Sequence, residues 1–397
     1  MAHQMIYDQL LIQPKIWKNL TDYFNKNKLP HALLLYGNEG IGKEAHAIEF
    51  ASFVNCTGKN KSESCGMCAS CRKMKILQHG NLKLIHPMPR KKTIKNFDSP
   101  LKSFSKSELE DYHNQLILKG ENPYYKINLS KSNSILINSI RSLKKELALS
   151  SIEEGWNIIL IMEAEKLCYP NNVSANSLLK ILEEPPKKTL FILTTSNYSK
   201  IIDTVKSRCQ TIFFPPISID KIYNIIDDSI SDADKLVIAT ISNGSIDIAK
   251  KIENNIKGMY DNLKLFITSC YDTNCSYNSK VIEKISSIRR SSNSKNELSI
   301  FFKSIMIYFK DLLIYSNSKN INDVVYKNLE EHYNKITNYN TNTDWDLCIT
   351  VIENTCDYID RNAYAPLAIN GMLIELKNIV GNKYHAVFNM HEWLGIE

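Results

Sequence analysis

Five short stretches dominate the first half of the sequence: "HALLLYG", "NLKLIHP", "NIILIM", "TLFILTT" and "QTIFF". Each is apolar at successive residues rather than at alternate ones. A strand built from such a run must be covered on both faces, and helical stretches separate one run from the next. A parallel sheet between two layers of helices satisfies both conditions, so the first half of the chain reads as α/β. The helical stretches agree. "NSILINSIRSLKKELALS" places Leu136, Ile140, Leu143 and Leu147 on one face, and "SANSLLKILEEPP" does the same with Ala175, Leu178, Leu179 and Leu182 before Pro185 and Pro186 end it.

After Pro215-Pro216 the strand signals stop. Short helical patterns run to about residue 255, and longer ones, such as "NELSIFFKSIMIYFKDLLIYSN" and "YAPLAINGMLIELKNIV", follow them. The expected organisation is an α/β domain over 1–215, a small helical domain over 216–255 and a larger all-α domain over 256–397. Within the first domain, about 90–132 is rich in Lys, Ser and Asn with weak periodicity and reads as a surface insertion. Its basic cluster, Arg90, Lys91, Lys92 and Lys95, fits a solvated loop, with a nucleic-acid contact as the alternative.

At 397 residues, 43% hydrophobic and 23% charged, the chain has material for several folded domains. A net charge of +7 permits contact with nucleic acid or acidic partners without demanding it. Asp8, Lys15 and Lys18 interrupt the opening segment, and no run reaches the roughly 20 apolar residues that cross a bilayer. The expectation is a cytoplasmic protein without a membrane partner.

Four of the ten cysteines crowd into Cys56-x8-Cys65-x2-Cys68-x2-Cys71, while Cys168, Cys209, Cys270, Cys275, Cys348 and Cys356 are scattered. This distribution favours one metal site plus free thiols in a reducing compartment over a disulfide framework. Gly58 and Gly66 allow tight turns, and four thiolates about 2.3 Å from one ion are the tetrahedral set that structural zinc takes. With four protein ligands the ion has no open position, so it would staple a knuckle and catalyse nothing.

Gly37-Asn38-Glu39-Gly40-Ile41-Gly42-Lys43 follows the first apolar run and fits the phosphate-cradling pattern G-x-x-x-x-G-K. In such a loop the backbone amides hold phosphate oxygens, the lysine reaches the outer phosphates, and a following Ser or Thr binds magnesium. Here that position is Glu44. A second magnesium partner, an aspartate at the end of another strand, is replaced by Met162 in "ILIMEAE". A carboxylate about 4 Å from a phosphate oxygen is repelled by roughly 4 kcal/mol at an effective dielectric near 20. The same carboxylate in the first turn of an unliganded helix is mildly stabilising, by about 0.3–1 kcal/mol. Glu44 therefore suits an empty loop, the alternative being an outward-pointing Glu44 with nucleotide bound and not hydrolysed.

The stretch "SANSLLKILEEPPKKTLFILTTSNYSKIIDTVKSRCQTIFF", Ser174 to Phe214, adds the triplet Ser207-Arg208-Cys209. Together with the glycine loop and the cysteine knuckle it resembles the clamp-loader AAA+ subunits of bacterial DNA polymerase III, the delta-prime subunits most closely. The resemblance is specific over about 30–214, apart from the insertion. It implies a five-subunit ring that uses ATP to open a sliding clamp and place it on primed DNA. It also implies an AAA+ domain followed by a helical lid and a helical collar, with the gamma/tau motor subunits and the delta subunit as partners. Arg208 takes the place of the family's arginine finger, which reaches a neighbouring subunit's ATP; a guanidinium suits that task because it stays charged and meets phosphate with a planar fork.

The departures from the family pattern fall on the chain's own pocket: Glu44, Met162, and Asp247 in "NGSIDIAKK", where the resemblance implies a phosphate-sensing arginine. Thr195, Ser196 and Asn197 match the region of a polar sensor. The resulting expectation is a structural subunit that does not hydrolyse ATP at Gly37, Gly40, Gly42 and Lys43 and serves its neighbour through Arg208. An ATP-hydrolysing gamma/tau-like motor, and a zinc-bearing nucleic-acid binding protein, are the alternatives.

Overall fold

The computed structural model describes residues 5–91, 98–148, 154–271, 277–290, 294–361 and 363–381. They fall into two compact units, one formed by 1–216 with 245–247, the other by 217–244 with 248–397.

The first unit opens with α1 (Pro14–Asn25), β1 (Ala32–Tyr36), α2 (Lys43–Asn55), α3 (Ala69–Lys75) and β2 (Leu82–Ile85). It continues with α4 (Lys106–Glu121), α5 (Ile137–Leu147), β3 (Asn157–Ile161), α6 (Val173–Glu183), β4 (Thr189–Thr195), α7 (Asp203–Lys206) and β5 (Gln210–Phe213). The five strands form one parallel sheet in the order β2-β3-β4-β1-β5. Each coincides with one of the five apolar runs, as the need to cover both faces requires. Leu33, Leu35, Ile158, Leu160, Leu190 and Ile192 face one buried cluster with Ile48, Phe50 and Phe53 of α2. The intervening Leu34, Ile159, Ile161, Phe191 and Leu193 face a second cluster with Ile140 and Leu143 of α5 and Ala175, Leu178 and Leu182 of α6.

Two buried polar residues pin the chain's beginning to this frame. Glu49 of α2, fully buried, accepts the backbone N–H groups of Ile6 and Tyr7 at 3.2 and 3.3 Å and the Ser64 hydroxyl at 3.0 Å. His46, one turn earlier, lies 2.7 Å from the Gly42 carbonyl through Nδ1, and its Nε2 accepts the Gln13 N–H at 3.1 Å. That pair of partners fixes a neutral imidazole with the proton on Nδ1.

The segment read as a surface insertion is more built than its composition suggests. It holds the 16-residue helix α4, started by a reciprocal capping box between Ser105 and Glu108, and it buries Tyr112, Gln115, Lys119, Ile127 and Leu129. Lys91 pairs with Glu108 and lies over the Phe104 ring at 5.5 Å. Lys92 and Lys95 of the basic cluster lie outside the described residues.

The second unit is helical throughout its described residues: α8 (Ile219–Tyr223), α9 (Asp232–Ser242), α10 (Ile246–Asn254), α11 (Ile256–Tyr271), α12 (Asn278–Arg290), α13 (Ser294–Ser318), α14 (Glu330–Tyr339), α15 (Trp345–Asp360) and α16 (Ala365–Val380). The first two residues of α10 count with the first unit. Buried Asp311 of α13 organises part of this bundle, accepting the backbone N–H groups of Val325 and Tyr326 and the Tyr333 hydroxyl. Among the described residues, no helix is long and apolar enough to cross a membrane.

Candidate functional site

The carboxyl ends of β1, β3 and β4 are neighbours, because β4 pairs with both of the others. Ligands of open parallel sheets bind at this edge. The glycine loop leaves β1 here and runs into α2. Gly37 has φ +149° and Gly40 +75°, and a Cβ would fall 2.3 Å from the Phe214 carbonyl at the first and 2.0 Å from Ser245 Oγ at the second. Only glycine fits either place. The Ile246 N–H donates to the Gly40 carbonyl at 3.0 Å, which brings the Ser245–Asp247 stretch against the loop.

The cations and carboxylates of this pocket are already matched to one another. Lys43, buried, donates to two carbonyls of its own loop, Gly37 at 2.8 Å and Asn38 at 2.5 Å. Burial lowers its pKa to about 8 against the opposing pull of Glu44, Glu39 and Glu165. Glu44 accepts from Lys119 of α4, whose side chain is fully buried and also donates to the Tyr125 carbonyl at 2.7 Å. Lys126 bridges Glu39 of the glycine loop at 2.7 Å and Glu163, just past β3, at 3.1 Å. Burial opposes the Lys126 charge, and the two carboxylates outweigh it, so its pKa lies above the usual lysine value.

Of the sensor-region residues, Thr195 and Ser196 donate to Glu165 at 2.6 and 3.1 Å, and the Asn197 N–H donates to Thr195 Oγ1 at 3.0 Å. Met162 is buried, with its N–H on the Ile85 carbonyl. The space left among Glu39, Lys43, Glu44, Tyr124, Lys126 and Asp247 is about 60 Å³. Pockets that take small molecules run to about 300–1,000 Å³. The expected repulsion between Glu44 and a phosphate is thus replaced by an ion pair with a residue that sequence reasoning did not connect to the loop.

Arg208 lies beyond α7, two residues before β5. Its guanidinium donates to Glu183 of α6 at 2.6 Å and to the Thr204 carbonyl at 2.9 Å, and 34% of the side chain remains exposed.

The four clustered cysteines do come together: their Sγ atoms all lie within 4.8 Å of one another. Cys56 caps the end of α2, Cys68 caps the start of α3, and Cys71 sits in the first turn of α3. The pairs Cys65–Cys71 and Cys56–Cys68 are each 4.0 Å apart. A tetrahedron with bonds of about 2.3 Å has edges of about 3.8 Å, so the donor set fits one four-coordinate ion. Backbone N–H groups of Cys65, Cys68 and Cys71 donate to Cys56, Cys65 and Cys68, and the Ser52 hydroxyl donates to Cys71, the outer-shell bonds that orient thiolates. Lys59, anchored on the Val54 and Cys56 carbonyls, adds a nearby positive charge. Cys168, Cys209, Cys270, Cys348 and Cys356 take part in no disulfide among the described residues, and Cys275 lies outside them.

The family described as DNA polymerase III, delta subunit, matches residues 12–218, a little over half of the chain. DNA polymerase III subunit delta' of Bacillus subtilis is 26% identical over 61% of the chain and 59% of its own length. Subunit gamma/tau of Mycoplasma genitalium is 26% identical over 68% of the chain and 40% of its own length. Subunit tau of Bacillus subtilis is 24% identical over 81% of the chain and 52% of its own length. The chain therefore spans between two fifths and three fifths of these relatives.

Proposed function

The chain belongs to the DNA polymerase III delta-subunit family, and from that membership we propose that it is a delta-prime-like AAA+ subunit of the clamp loader, without ATP turnover of its own. In this reading the first unit is the AAA+ domain, residues 216–255 are its helical lid, and 256–397 are the collar that joins it to gamma/tau and delta subunits. The assembly acts in the cytoplasm, setting a sliding clamp on primed DNA. The observation that carries the reading is the state of the glycine loop. Its lysine is bonded to the loop's own carbonyls, its Glu44 is paired with Lys119, and about 60 Å³ remains beside them.

Arg208 supplies the chemistry. Held by Glu183 and Thr204 at one end of the sheet, its guanidinium can exchange Glu183 for the phosphate oxygens of a neighbouring subunit's ATP. There it would stabilise charge that develops during phosphoryl transfer; fingers supplied in trans are worth roughly 10³–10⁵ in rate in other nucleotide hydrolases. Cys56, Cys65, Cys68 and Cys71 hold structural zinc, whose filled tetrahedron leaves it no part in the reaction.

The motor-subunit alternative is disfavoured by residues 44, 162 and 247, despite the similarity to gamma/tau chains. The test compares ATPase activity of the pure chain with that of a mixture containing motor subunits, clamp and primed DNA. The expected result is no turnover alone and a large loss in the mixture on Arg208→Ala. Motor-like turnover by the pure chain, or an unaffected mixture, would overturn the reading.

A further inference from the structure

We propose that residues Lys119–Lys126 are a built-in occupant of the glycine-loop pocket, with Lys126 bridging Glu39 and Glu163 where a nucleotide's metal would lie, and Lys119 neutralising Glu44. This deepens the reading of the loop as a former nucleotide pocket and rests on it. The argument begins from charge. Glu39, Glu44, Glu163 and Asp247 all line one small cavity, and carboxylates gathered at a low-dielectric edge repel one another unless cations intervene. A nucleotide would add negative charge and a metal would subtract it. Here two lysines from one short stretch do most of the subtracting, with Lys166 sharing Glu163 at 3.0 Å.

Both lysines arrive by a built route. Lys119 is fully buried, and its second bond, to the Tyr125 carbonyl, curls the chain back on itself directly after α4. The turn is fixed by Asn122, whose side-chain oxygen accepts the Tyr124 N–H at 3.0 Å. Tyr124 then accepts the Leu11 N–H on its hydroxyl at 2.9 Å, and its ring edge would stand 3.0 Å from a Cβ on Gly42. Pro123, Tyr124 and Lys126 line the cavity beside the loop. The segment therefore supplies bulk where phosphates would sit and positive charge between the carboxylates.

Three consequences separate this from exclusion by Glu44 alone. Replacing Glu44 by the hydroxyl residue the loop pattern expects should not restore binding, because Lys126 and the turn that Lys119 holds through the Tyr125 carbonyl stay in place. Removing the lysines as well should open the pocket. The loop should also be ordered without ligand and should loosen when Lys126 is removed.

The experiment titrates the full-length chain with Mg-ADP and Mg-ATP by calorimetry. The wild type and Glu44→Ser are expected to show no binding below millimolar concentrations. Glu44→Ser combined with Lys119→Met and Lys126→Ala is expected to bind at least about tenfold more tightly than Glu44→Ser alone. Equal binding by Glu44→Ser and the triple variant, or a folded triple variant as inert as the wild type, would overturn the assignment of the occupant. Micromolar binding by the wild type would instead overturn the reading of the pocket itself.

Should the triple variant not fold, amide hydrogen exchange of residues 37–43 in Lys126→Met decides. Exchange about tenfold faster than in the wild type, with the rest of the first unit unchanged, supports the occupant. Unchanged exchange in the loop refutes it.

Discussion

The ammonium of Lys119, with no exposed surface, lies 2.5 Å from the carboxylate of Glu44, seventy-five residues away in sequence. Glu44 retains 23% of its side-chain surface, so breaking the pair should cost about 3 kcal/mol, the lower end of what is lost when one member of a buried pair is removed. Lys119→Met is the direct test, read from urea unfolding. Adding Glu44→Leu should return most of the loss, because it removes the stranded charge. If the two single effects simply add, the pair is not coupled.

Zinc analysis should return one ion per chain, and Cys71→Ser should abolish it. The knuckle has its own reporter: the Trp17 indole N–H donates to the Ser62 carbonyl at 2.8 Å, three residues before Cys65. Stripping the ion with a chelator should therefore shift Trp17 emission and lower the unfolding midpoint, and restoring zinc should reverse both. A midpoint indifferent to metal would count against a structural ion.

Acid should weaken the first unit through two buried imidazoles. Burial lowers the pKa of both His46 and His86 from 6.5 to about 4, and His86 is held neutral between the Pro87 carbonyl and the Tyr112 hydroxyl. A depressed folded value means the contribution is present above pH 6.5 and is lost as pH falls toward 4. At 1.36 kcal/mol per unit, each amounts to about 3 kcal/mol. Glu49 works the other way. Burial raises it from 4.5 to about 7, so its contribution is present below 4.5 and fades as pH rises to 7. Stability from pH 4.5 to 6.5 should consequently rise, with His86→Gln flattening the curve and Glu49→Gln steepening it. A flat wild-type profile would contradict this balance.

The Arg208–Glu183 pair is partly exposed on both sides, 34% and 50%. Such pairs are worth about 0.2–1 kcal/mol. If the guanidinium must leave Glu183 to reach a neighbour's phosphate, Glu183→Gln should raise clamp-dependent ATPase by up to about fivefold at low ionic strength, and the gain should shrink with salt. A fall in rate would mean that Glu183 aims the arginine rather than restraining it.

The sheet was legible because burial on both faces leaves a mark in nearly every residue of the central strands β1, β3 and β4, and the shorter runs at the edges also became strands. The cysteine cluster was legible for a similar reason: thiols close in sequence reach one point by local turns. The pocket's occupant was not. Lys119 and Lys126 sit in a stretch whose lysines, serines and asparagines look like ordinary solvated surface, and nothing local says which distant carboxylate a lysine will meet. One signal was available and unused, the S-x-x-E of Ser105 and Glu108, which marks the start of α4. Glu165 carries no local signal either, since its two hydroxyl partners, Thr195 and Ser196, lie thirty and thirty-one residues on at the end of the neighbouring strand β4.

Glu49 shows how tightly three remote parts of the chain are knotted. One carboxylate ties the segment at Ile6 and Tyr7, the loop residue Ser64 next to the cysteines, and the helix that begins at the glycine loop. Removing Ile6 and Tyr7 would bare that carboxylate in a greasy interior, and the injury would travel inward to the cysteine loop and along the helix toward the pocket. Two backbone groups, at Ile6 and Tyr7, are in effect a bolt through the domain.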